Sequence, residues 1–451
     1  MKHKLLYLAA ASLLSLNVQA QQDGFFTSKL ASQKKFEADY LKAVNYDQFK
    51  VHLTELTKNP HITGTPENEL VKDYMVQVMS KAGMDVKVWP YDVYLPNHPG
   101  KSELQIISPV QLTLSQKEGE LAEDPFSTDP RLHLGFNAFS GSGDVTAEVV
   151  YVNYGTREDF MKLVEMGVPL KGKVAIARYG GNFRGYKAKF AEQNGMIGLV
   201  VYTDPKDSGF TRGDVYPKGP YYNETTIQRG SMLTLDFTGD PLTPNRPALP
   251  LDGPIKVKRD DPATVDFHTI PVTPIGYGAA KEILSRMTGA DVPAAWQGGL
   301  PFSYKLTGGA DLKVRVMVDQ KPEFIRANNV VGTFIGKDHP DEWIILGSHY
   351  DAWSFGATDP NSGTAMLLTF AEALGELYKN GQKPSRSILI GHWDAEEQGV
   401  IGSTEWVEHL RKELGAKAIS YMNFDGGASG RNFGASAAPT LKKLIIDASK
   451  E

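Results

Sequence analysis

The sequence contains no cysteine, which excludes disulfide bonds and any metal site built on thiolates. A metal ion in this protein must therefore be held by histidine, aspartate and glutamate. The charge balance is also slight, because 48 basic and 53 acidic residues leave a net charge of −5. This value gives no reason to expect a nucleic-acid partner. Beyond the first twenty residues no apolar stretch is long enough to span a bilayer, so we expect no membrane span there.

The first twenty residues have the pattern of an export signal. Lysines at positions 2 and 4 precede a largely apolar run over 5–16, and residues 18–20 (Val-Gln-Ala) offer a small-residue cleavage site. The apolar run is too short to cross a bilayer comfortably. We therefore predict a signal peptide over 1–20 and a periplasmic or extracellular protein. Export without cysteine fits a bacterial periplasm or exterior better than a disulfide-rich animal secretory protein.

Strands and helices alternate after residue 328, which favours a mostly parallel sheet covered by helices on both faces. A second, smaller α/β unit is indicated over 148–202. We therefore predict the α/β class, with a mixed, mostly parallel sheet flanked by helices and an inserted smaller domain. Sheets of this kind bind ligands at the carboxyl ends of their strands.

A stretch rich in Pro, Gly, Ser and Asp, from residue 96 to about 144, is where we expect one domain to give way to another. The length of 451 residues suits two or three domains. The predicted division is a signal peptide over 1–20, a discontinuous main domain over 21–98 and 322–451, and an apical insert over 99–321.

Three residues that can bind metal or move protons stand just past predicted strand ends: His349, Glu396 and Asp425. Taken singly, each has an ordinary interpretation, as a packed histidine, a solvated glutamate and a turn aspartate. Their common position is harder to explain in this way, because clustered carboxylates repel one another unless a cation lies among them. One imidazole with several carboxylates is a ligand set for divalent metals, zinc first.

Further acidic residues extend this set. Asp359 follows His349 in the same motif, and Glu397 directly follows Glu396. In a Glu-Glu pair the second residue can bind metal while the first moves protons, and a carboxylate that bridges two metals holds them about 3.5–4 Å apart. Asp351 is placed to accept the second N–H of the imidazole and so to fix its tautomer. We interpret the set as the site of a metal-dependent peptidase.

The chain resembles the di-zinc exopeptidases related to glutamate carboxypeptidase II. The transferrin receptor is a non-catalytic relative of these enzymes. The resemblance runs from about residue 46 to the end. Its motifs are Pro60-His-Ile-Thr-Gly-Thr65, Val150-Tyr-Val-Asn-Tyr154, Ile176-Ala-Arg-Tyr-Gly180, Asp240-Pro-Leu-Thr-Pro244 and Gly402-Ser-Thr-Glu-Trp406. The spacings agree as well, with ten residues from His349 to Asp359 and twenty-eight from Glu397 to Asp425.

The resemblance implies a catalytic centre with two zinc ions. It makes His349, Glu397 and Asp425 terminal ligands. It makes Asp359 the bridging ligand and Glu396 the general base.

Further features follow from the same resemblance. The segment 148–202 resembles the protease-associated (PA) insert, which overhangs the active site in this family. Arg184 matches an arginine that grips the terminal carboxylate of the substrate. A structural calcium site is also implied, formed by Glu405 and Glu408 with backbone oxygens near Thr243 and Arg246.

Some positions depart from the family pattern. Ser231 stands where glutamate-selective members have an asparagine, and Ala435 stands where they have an arginine, so we do not expect a strict preference for acidic substrates. The last zinc-binding histidine and the helical domain that pairs two subunits are expected beyond Glu451, and with that domain the protein should be a homodimer.

The resulting expectation is a carboxypeptidase that acts on small peptides. One alternative is an aminopeptidase of the same superfamily, and Arg184 favours the carboxypeptidase over it. A second alternative is a non-catalytic binding protein like the transferrin receptor. That branch has lost its metal ligands, whereas every ligand within the span of this chain is present.

Overall fold

The structure is a computed structural model that describes residues 25, 27–428, 430 and 432–450. The predicted signal peptide over 1–20 lies outside the described residues. Among the helices that are described, none combines the length and the apolar character that a bilayer crossing requires.

Both helices and strands are spread along the described chain. The α-helices, in chain order, are α1 (Thr27–Ala43), α2 (Tyr46–Leu56), α3 (Pro66–Ala82), α4 (Arg157–Glu165), α5 (Arg184–Gln193), α6 (Tyr277–Leu284), α7 (Asn361–Lys379), α8 (Ile401–His409), α9 (Arg411–Lys417) and α10 (Lys442–Ala448). The strands, also in chain order, are β1 (Asp85–Leu95), β2 (Lys101–Ser108), β3 (Leu112–Thr113), β4 (Asn137–Ala138), β5 (Gly143–Tyr151), β6 (Val174–Arg178), β7 (Gly198–Tyr202), β8 (Gly230–Ser231), β9 (Val272–Ile275), β10 (Lys313–Asp319), β11 (Glu323–Phe334), β12 (His339–His349), β13 (Arg386–Trp393) and β14 (Ala418–Asn423).

A five-stranded sheet forms the centre of the main domain, in the order β1-β11-β13-β12-β14. Strand β12 pairs in parallel with both β13 and β14, whereas β11 pairs antiparallel with β1 and with β13. The predicted mixed α/β class is confirmed. Parallel pairings are half of those in this sheet, fewer than the strand–helix alternation predicts, because the long strands β1 and β11 pair antiparallel along their whole length.

Helices cover this sheet, and α3 is a clear case of local sequence setting helix bounds. The Thr65 hydroxyl accepts the N–H of Asn68 at 3.2 Å, Pro66 occupies the first helical position, and Gly83 ends the helix with φ of 93°. Its apolar face joins α2 and α7 in one core, which contains Leu56, Met75, Met79, Leu368 and Leu374.

A seven-stranded sheet forms the insert, in the order β3-β2-β10-β5-β6-β7-β9. Strands β5, β6, β7 and β9 pair in parallel, and their largely apolar segments form a separate core. All strands of this sheet lie within residues 101–319, and all strands of the first sheet lie within 85–95 or 323–423. The predicted division at 98/99 and 321/322 therefore falls between the strands of the two sheets.

Candidate metal centre

Three parallel strands carry the predicted ligands to one edge of the main sheet. His349 is the last residue of β12, Glu396 and Glu397 follow the end of β13, and Asp425 follows the end of β14. Asp359 lies in the loop between β12 and α7. Because β12 runs parallel to both of its neighbours, all these residues stand at the carboxyl end of the strands.

The imidazole of His349 lies at the centre of the group. Its Nε2 is 3.1 Å from Asp359 Oδ1, 3.1 Å from Asp425 Oδ1 and 3.8 Å from Glu396 Oε2. The ligand atoms of His349, Asp359 and Asp425 all lie within 4.8 Å of one another. One buried imidazole and two accessible carboxylates fit a single divalent cation such as zinc. Glu397 stands apart from this trio and lines an adjoining cavity together with Asp359.

Close packing at the start of α7 holds the Asp425 segment against the centre. A Cβ added to Gly363 would lie 1.5 Å from the carbonyl oxygen of Phe424, the residue before Asp425. Only glycine allows this approach of the two backbones.

Asp351 supports the centre through its carboxylate and through its backbone carbonyl. Its carboxylate accepts the backbone N–H groups of Glu396 and Glu397 at 3.0 and 3.1 Å. The nearest acceptor for Nδ1 of His349 is the backbone carbonyl of Asp351, at 3.1 Å, whereas the carboxylate is 3.4 Å away. The carbonyl and the carboxylate of Asp351 both lie near Nδ1 of His349, and the carboxylate also orients the Glu-Glu pair.

The structure gives the motif that begins at Pro60 a role that the sequence did not predict. In the sequence this motif indicated only a resemblance to the family. His61 donates its backbone N–H to the carbonyl of Ser354 at 3.1 Å, and its Nε2 accepts from the Asn361 amide at 3.0 Å. Both partners belong to the segment around Asp359. The buried motif therefore fixes the loop that carries this ligand.

The same motif also reaches the Glu-Glu turn. The Thr63 hydroxyl donates to Asp394 Oδ1 and accepts the N–H of Ala395, both at 3.0 Å. Asp394 also accepts the Tyr350 hydroxyl at 3.0 Å. Burial raises the pKa of Asp394, while these donors favour its charged form. A polar His and Thr within a Pro- and Gly-bearing motif are the only sequence signals for this arrangement.

The titration of the central groups reflects burial and crowding. Burial raises the pKa of Glu396 to about 7 and raises the pKa of Glu397 well above its ordinary value, with Asp359 adding to the second shift. Burial opposes the charge on His349, but hydrogen bonds to the surrounding aspartates leave its pKa well above the usual 6.5. A pKa near 7 suits a group that takes and returns protons at neutral pH.

Arg184, the first residue of α5, faces this centre across a cavity of about 290 Å³. The cavity is lined by Arg184, Tyr222, Arg229, Trp353, Asp359 and Glu397, among others. Arg229 is already paired with Glu118 at 3.0 Å. In contrast, Nε of Arg184 is buried without a hydrogen bond, and no ion pair to Arg184 is found in the described part of the chain. The cavity therefore presents one uncompensated cation beside the candidate metal ligands.

Two of the predicted calcium residues, Glu405 and Glu408, lie in helix α8. Glu405 is fully buried, and its two carboxylate oxygens accept the N–H groups of Asp240 and Ala248 at 2.6 and 2.5 Å. Burial raises the pKa of Glu405 to about 8 and that of Glu408 to about 7. Oε2 of Glu408 is buried without a partner. An orphaned carboxylate oxygen of this kind fits an oxygen-ligated cation such as calcium.

The other two predicted calcium residues, Thr243 and Arg246, lie in the loop that follows Asp240. Thr243 donates its hydroxyl to Asp240 Oδ2 at 2.9 Å, and the Arg246 side chain pairs with Asp260 at 3.2 Å. Their side chains are therefore engaged elsewhere, which leaves the backbone oxygens as the donors this segment can offer. Asp240 is the acidic neighbour that sequence reasoning did not single out.

Comparison with known proteins finds family matches for two segments of this chain. Residues 329–450 match the model described as peptidase family M28, and residues 145–235 match the PA domain model. The first segment is thus similar to peptidase family M28, and the second is similar to a PA domain. The predicted resemblance is confirmed at this level, and the PA match extends beyond the predicted 148–202.

The relatives of this chain carry the names of two kinds of peptidase. The chain is 36% identical over 427 residues to the glutamate carboxypeptidase 2 homolog of Caenorhabditis elegans, covering 90% of this chain and 54% of that protein. It is 33% identical over 476 residues to the aminopeptidase NAALADL1 of Mus musculus, covering 98% and 63%. The chain thus spans between about half and two thirds of the length of these curated relatives.

Among solved structures, the peptidase M28 precursor of Shewanella amazonensis has a TM-score of 0.57 at 18% identity. The match covers 93% of this chain and 79% of that chain. This likeness shows a shared fold.

Proposed function

We propose that this protein is an exported di-zinc exopeptidase that removes the C-terminal residue of small peptides. The observation that carries the proposal is that Arg184, a cation without a protein counter-ion, shares one cavity with Asp359 and Glu397. A peptide carboxylate is the anion that such a cation selects, and its scissile bond would then lie beside the metal ligands. The name of the C. elegans relative agrees with this activity.

In this proposal His349, Glu397 and Asp425 would serve as terminal ligands of two zinc ions, and Asp359 would be the ligand shared between them. When bound, zinc supplies Lewis acidity, which polarises the scissile carbonyl and acidifies water. A calcium ion at Glu405 and Glu408 completes the proposed cofactors.

Glu396 moves the protons in this proposal. Its carboxylate faces the centre, 3.8 Å from Nε2 of His349, and Asp351 holds its backbone in place. With a pKa raised by burial to about 7, it accepts the proton of the attacking water and returns it to the nitrogen of the leaving amine.

Export and homodimer formation belong to the same proposal. Export is supported by the basic and apolar pattern of residues 1–20, and the dimer by the resemblance to the wider family.

A second candidate is an aminopeptidase, because the mouse relative carries that name. The two activities differ in which terminus of the peptide must be free. Peptides with a blocked N-terminus and a free carboxylate should be substrates of the carboxypeptidase alone, and hydrolysis confined to free N-termini would favour the aminopeptidase. A non-catalytic binding protein is less well supported, because the ligand set is present.

Arg184→Ala should weaken binding of peptides with a free C-terminus by about 10- to 100-fold, since a hydrogen bond to a charged group contributes about 1.5–3 kcal/mol. Peptides with an amidated C-terminus should lose little. The measurement is the ratio of dissociation constants for a matched free and amidated peptide. Arg229→Ala is the control, because Glu118 already neutralises Arg229. Equal losses for both peptides in Arg184→Ala would contradict carboxylate recognition.

Gly230→Ala should reduce the same discrimination between free and amidated peptides at least about 10-fold. A Cβ at Gly230 would lie 2.2 Å from Cζ of Arg184, so the guanidinium could not keep its position on the backbone. Gly230 also has φ of 143°, which strains any other residue. Gly172→Ala controls for strain alone, because Gly172 has φ of 74° and an added Cβ meets nothing within 4 Å. Unchanged discrimination in Gly230→Ala would contradict this role.

A further inference from the structure

A second cavity, of about 350 Å³, adjoins the one that contains Arg184. The two cavities share Tyr222 and Ser354 in their walls. Ser354 belongs to the loop between His349 and Asp359, so the second cavity begins within the segment that carries a predicted metal ligand. Its size lies within the range of small-molecule pockets.

The wall of this second cavity is rich in aromatic rings. Its apolar members are Phe126, Leu132, Tyr216, Tyr221, Tyr222 and Phe355. The rings of Phe126 and Phe355 meet edge to face with centroids 5.2 Å apart, which joins the insert to the loop of the main domain. Asp124 orients two of the rings, because it accepts the N–H of Phe126 at 3.0 Å and the hydroxyl of Tyr216 at 3.2 Å.

The charged groups of the cavity wall are largely compensated. Glu118 is paired with Arg229, and Asp124 accepts the two hydrogen bonds just described. Burial lowers the pKa of His133, which is therefore neutral at neutral pH. Lys117 is half-exposed at the rim and lies 3.9 Å from Glu120. This cavity therefore offers rings to a ligand, whereas its neighbour offers the free charge of Arg184.

We propose that this aromatic cavity binds the side chain of the C-terminal residue of the substrate and selects bulky apolar side chains, aromatic ones above all. The inference rests on the proposed function, because Arg184 must hold the carboxylate of that residue. Tyr222 lines both the cavity that contains Arg184 and the aromatic cavity, so its ring lies at the boundary of the two. The side chain of a residue held by Arg184 would therefore lie near the walls that the two cavities share, Tyr222 and Ser354.

The test is calorimetric titration of the zinc-loaded Glu396→Gln protein, which should bind peptides without cleaving them. The probes are N-acetyl-Ala-Phe, N-acetyl-Ala-Ala and N-acetyl-Phe-Ala. N-acetyl-Ala-Phe should bind about 10-fold more tightly than N-acetyl-Ala-Ala, because its ring is buried among aromatic side chains. Adding Phe126→Ala should reduce this advantage to about 3-fold or less and leave the affinity for N-acetyl-Ala-Ala unchanged.

Phe210→Ala is the matched control, since Phe210 is 49% exposed against 54% for Phe126 and packs on Tyr277 away from the cavity. Phe126→Leu, which keeps an apolar side chain, should give an intermediate advantage and guards against loss of folding in the alanine variant. Equal affinity for the first two peptides overturns the aromatic subsite while leaving carboxylate recognition in place. A preference for N-acetyl-Phe-Ala that depends on Phe126 overturns the assignment to the C-terminal residue. Equal binding of free and amidated N-acetyl-Ala-Phe contradicts the proposed function itself.

Discussion

Glu396→Gln should lower the turnover of peptide substrates by about 10²–10⁴-fold while zinc stays bound. Glutamine keeps the shape of the side chain and the backbone hydrogen bond to Asp351, but its amide cannot accept a proton. The pKa of Glu396, raised by burial to about 7, is the property that the substitution removes. The measurements are the turnover number under saturating substrate and the zinc content of the purified variant.

The neighbouring residue provides the matched comparison for this prediction. Glu397→Gln makes the same chemical change one position later, at a predicted metal ligand, and should lower zinc content as well as turnover. Loss of zinc in Glu396→Gln with retention in Glu397→Gln would reverse the two roles. Near-normal turnover in Glu396→Gln with full zinc content would remove Glu396 from the proton-transfer step.

The parts of the centre that could be predicted from sequence are those that depend on local pattern. His349, Glu396 and Asp425 each follow an apolar run of strand length, and the structure places these runs as parallel neighbours. Strand polarity then brings the three residues to one edge without further information. The bounds of α3 likewise depend on local residues, Thr65 and Gly83, which act on adjacent positions only.

The parts that could not be predicted depend on contacts between distant segments. Thr63 and Asp394 are 331 positions apart, so nothing near either residue indicates that they share a hydrogen bond. The same holds for Gly230, whose importance comes from the guanidinium of Arg184 lying against it. Helices α8 and α9 are separated at Leu410, because this residue leaves the helical conformation with ψ of 20°. The antiparallel pair of β1 and β11 likewise joins strands on either side of a long insert.

The affinity for zinc should rise steeply with pH. For each proton that zinc displaces on binding, the affinity should rise by about 10-fold when the pH rises by one unit. In the metal-free protein hydrogen bonds to Asp351, Asp359 and Asp425 hold the pKa of His349 well above 6.5, and burial raises the pKa of Glu397 well above its ordinary value. Zinc needs both groups without their protons. Between pH 5.5 and 6.5 we therefore expect the zinc dissociation constant to fall by about 10- to 100-fold. Competition with a chelator at several pH values measures it.

Stability should have the opposite trend in the metal-free protein. A pKa raised in the folded state means that the charged imidazole stabilises folding below the unfolded value of about 6.5, and that this contribution is lost as pH rises through the raised pKa. Metal-free protein should therefore lose stability above pH 6.5, whereas saturating zinc should reverse the trend. His339→Ala, which removes an exposed histidine outside the centre, should leave both trends unchanged. If the zinc affinity did not depend on pH over this range, His349 and Glu397 would not be groups that lose a proton when zinc binds.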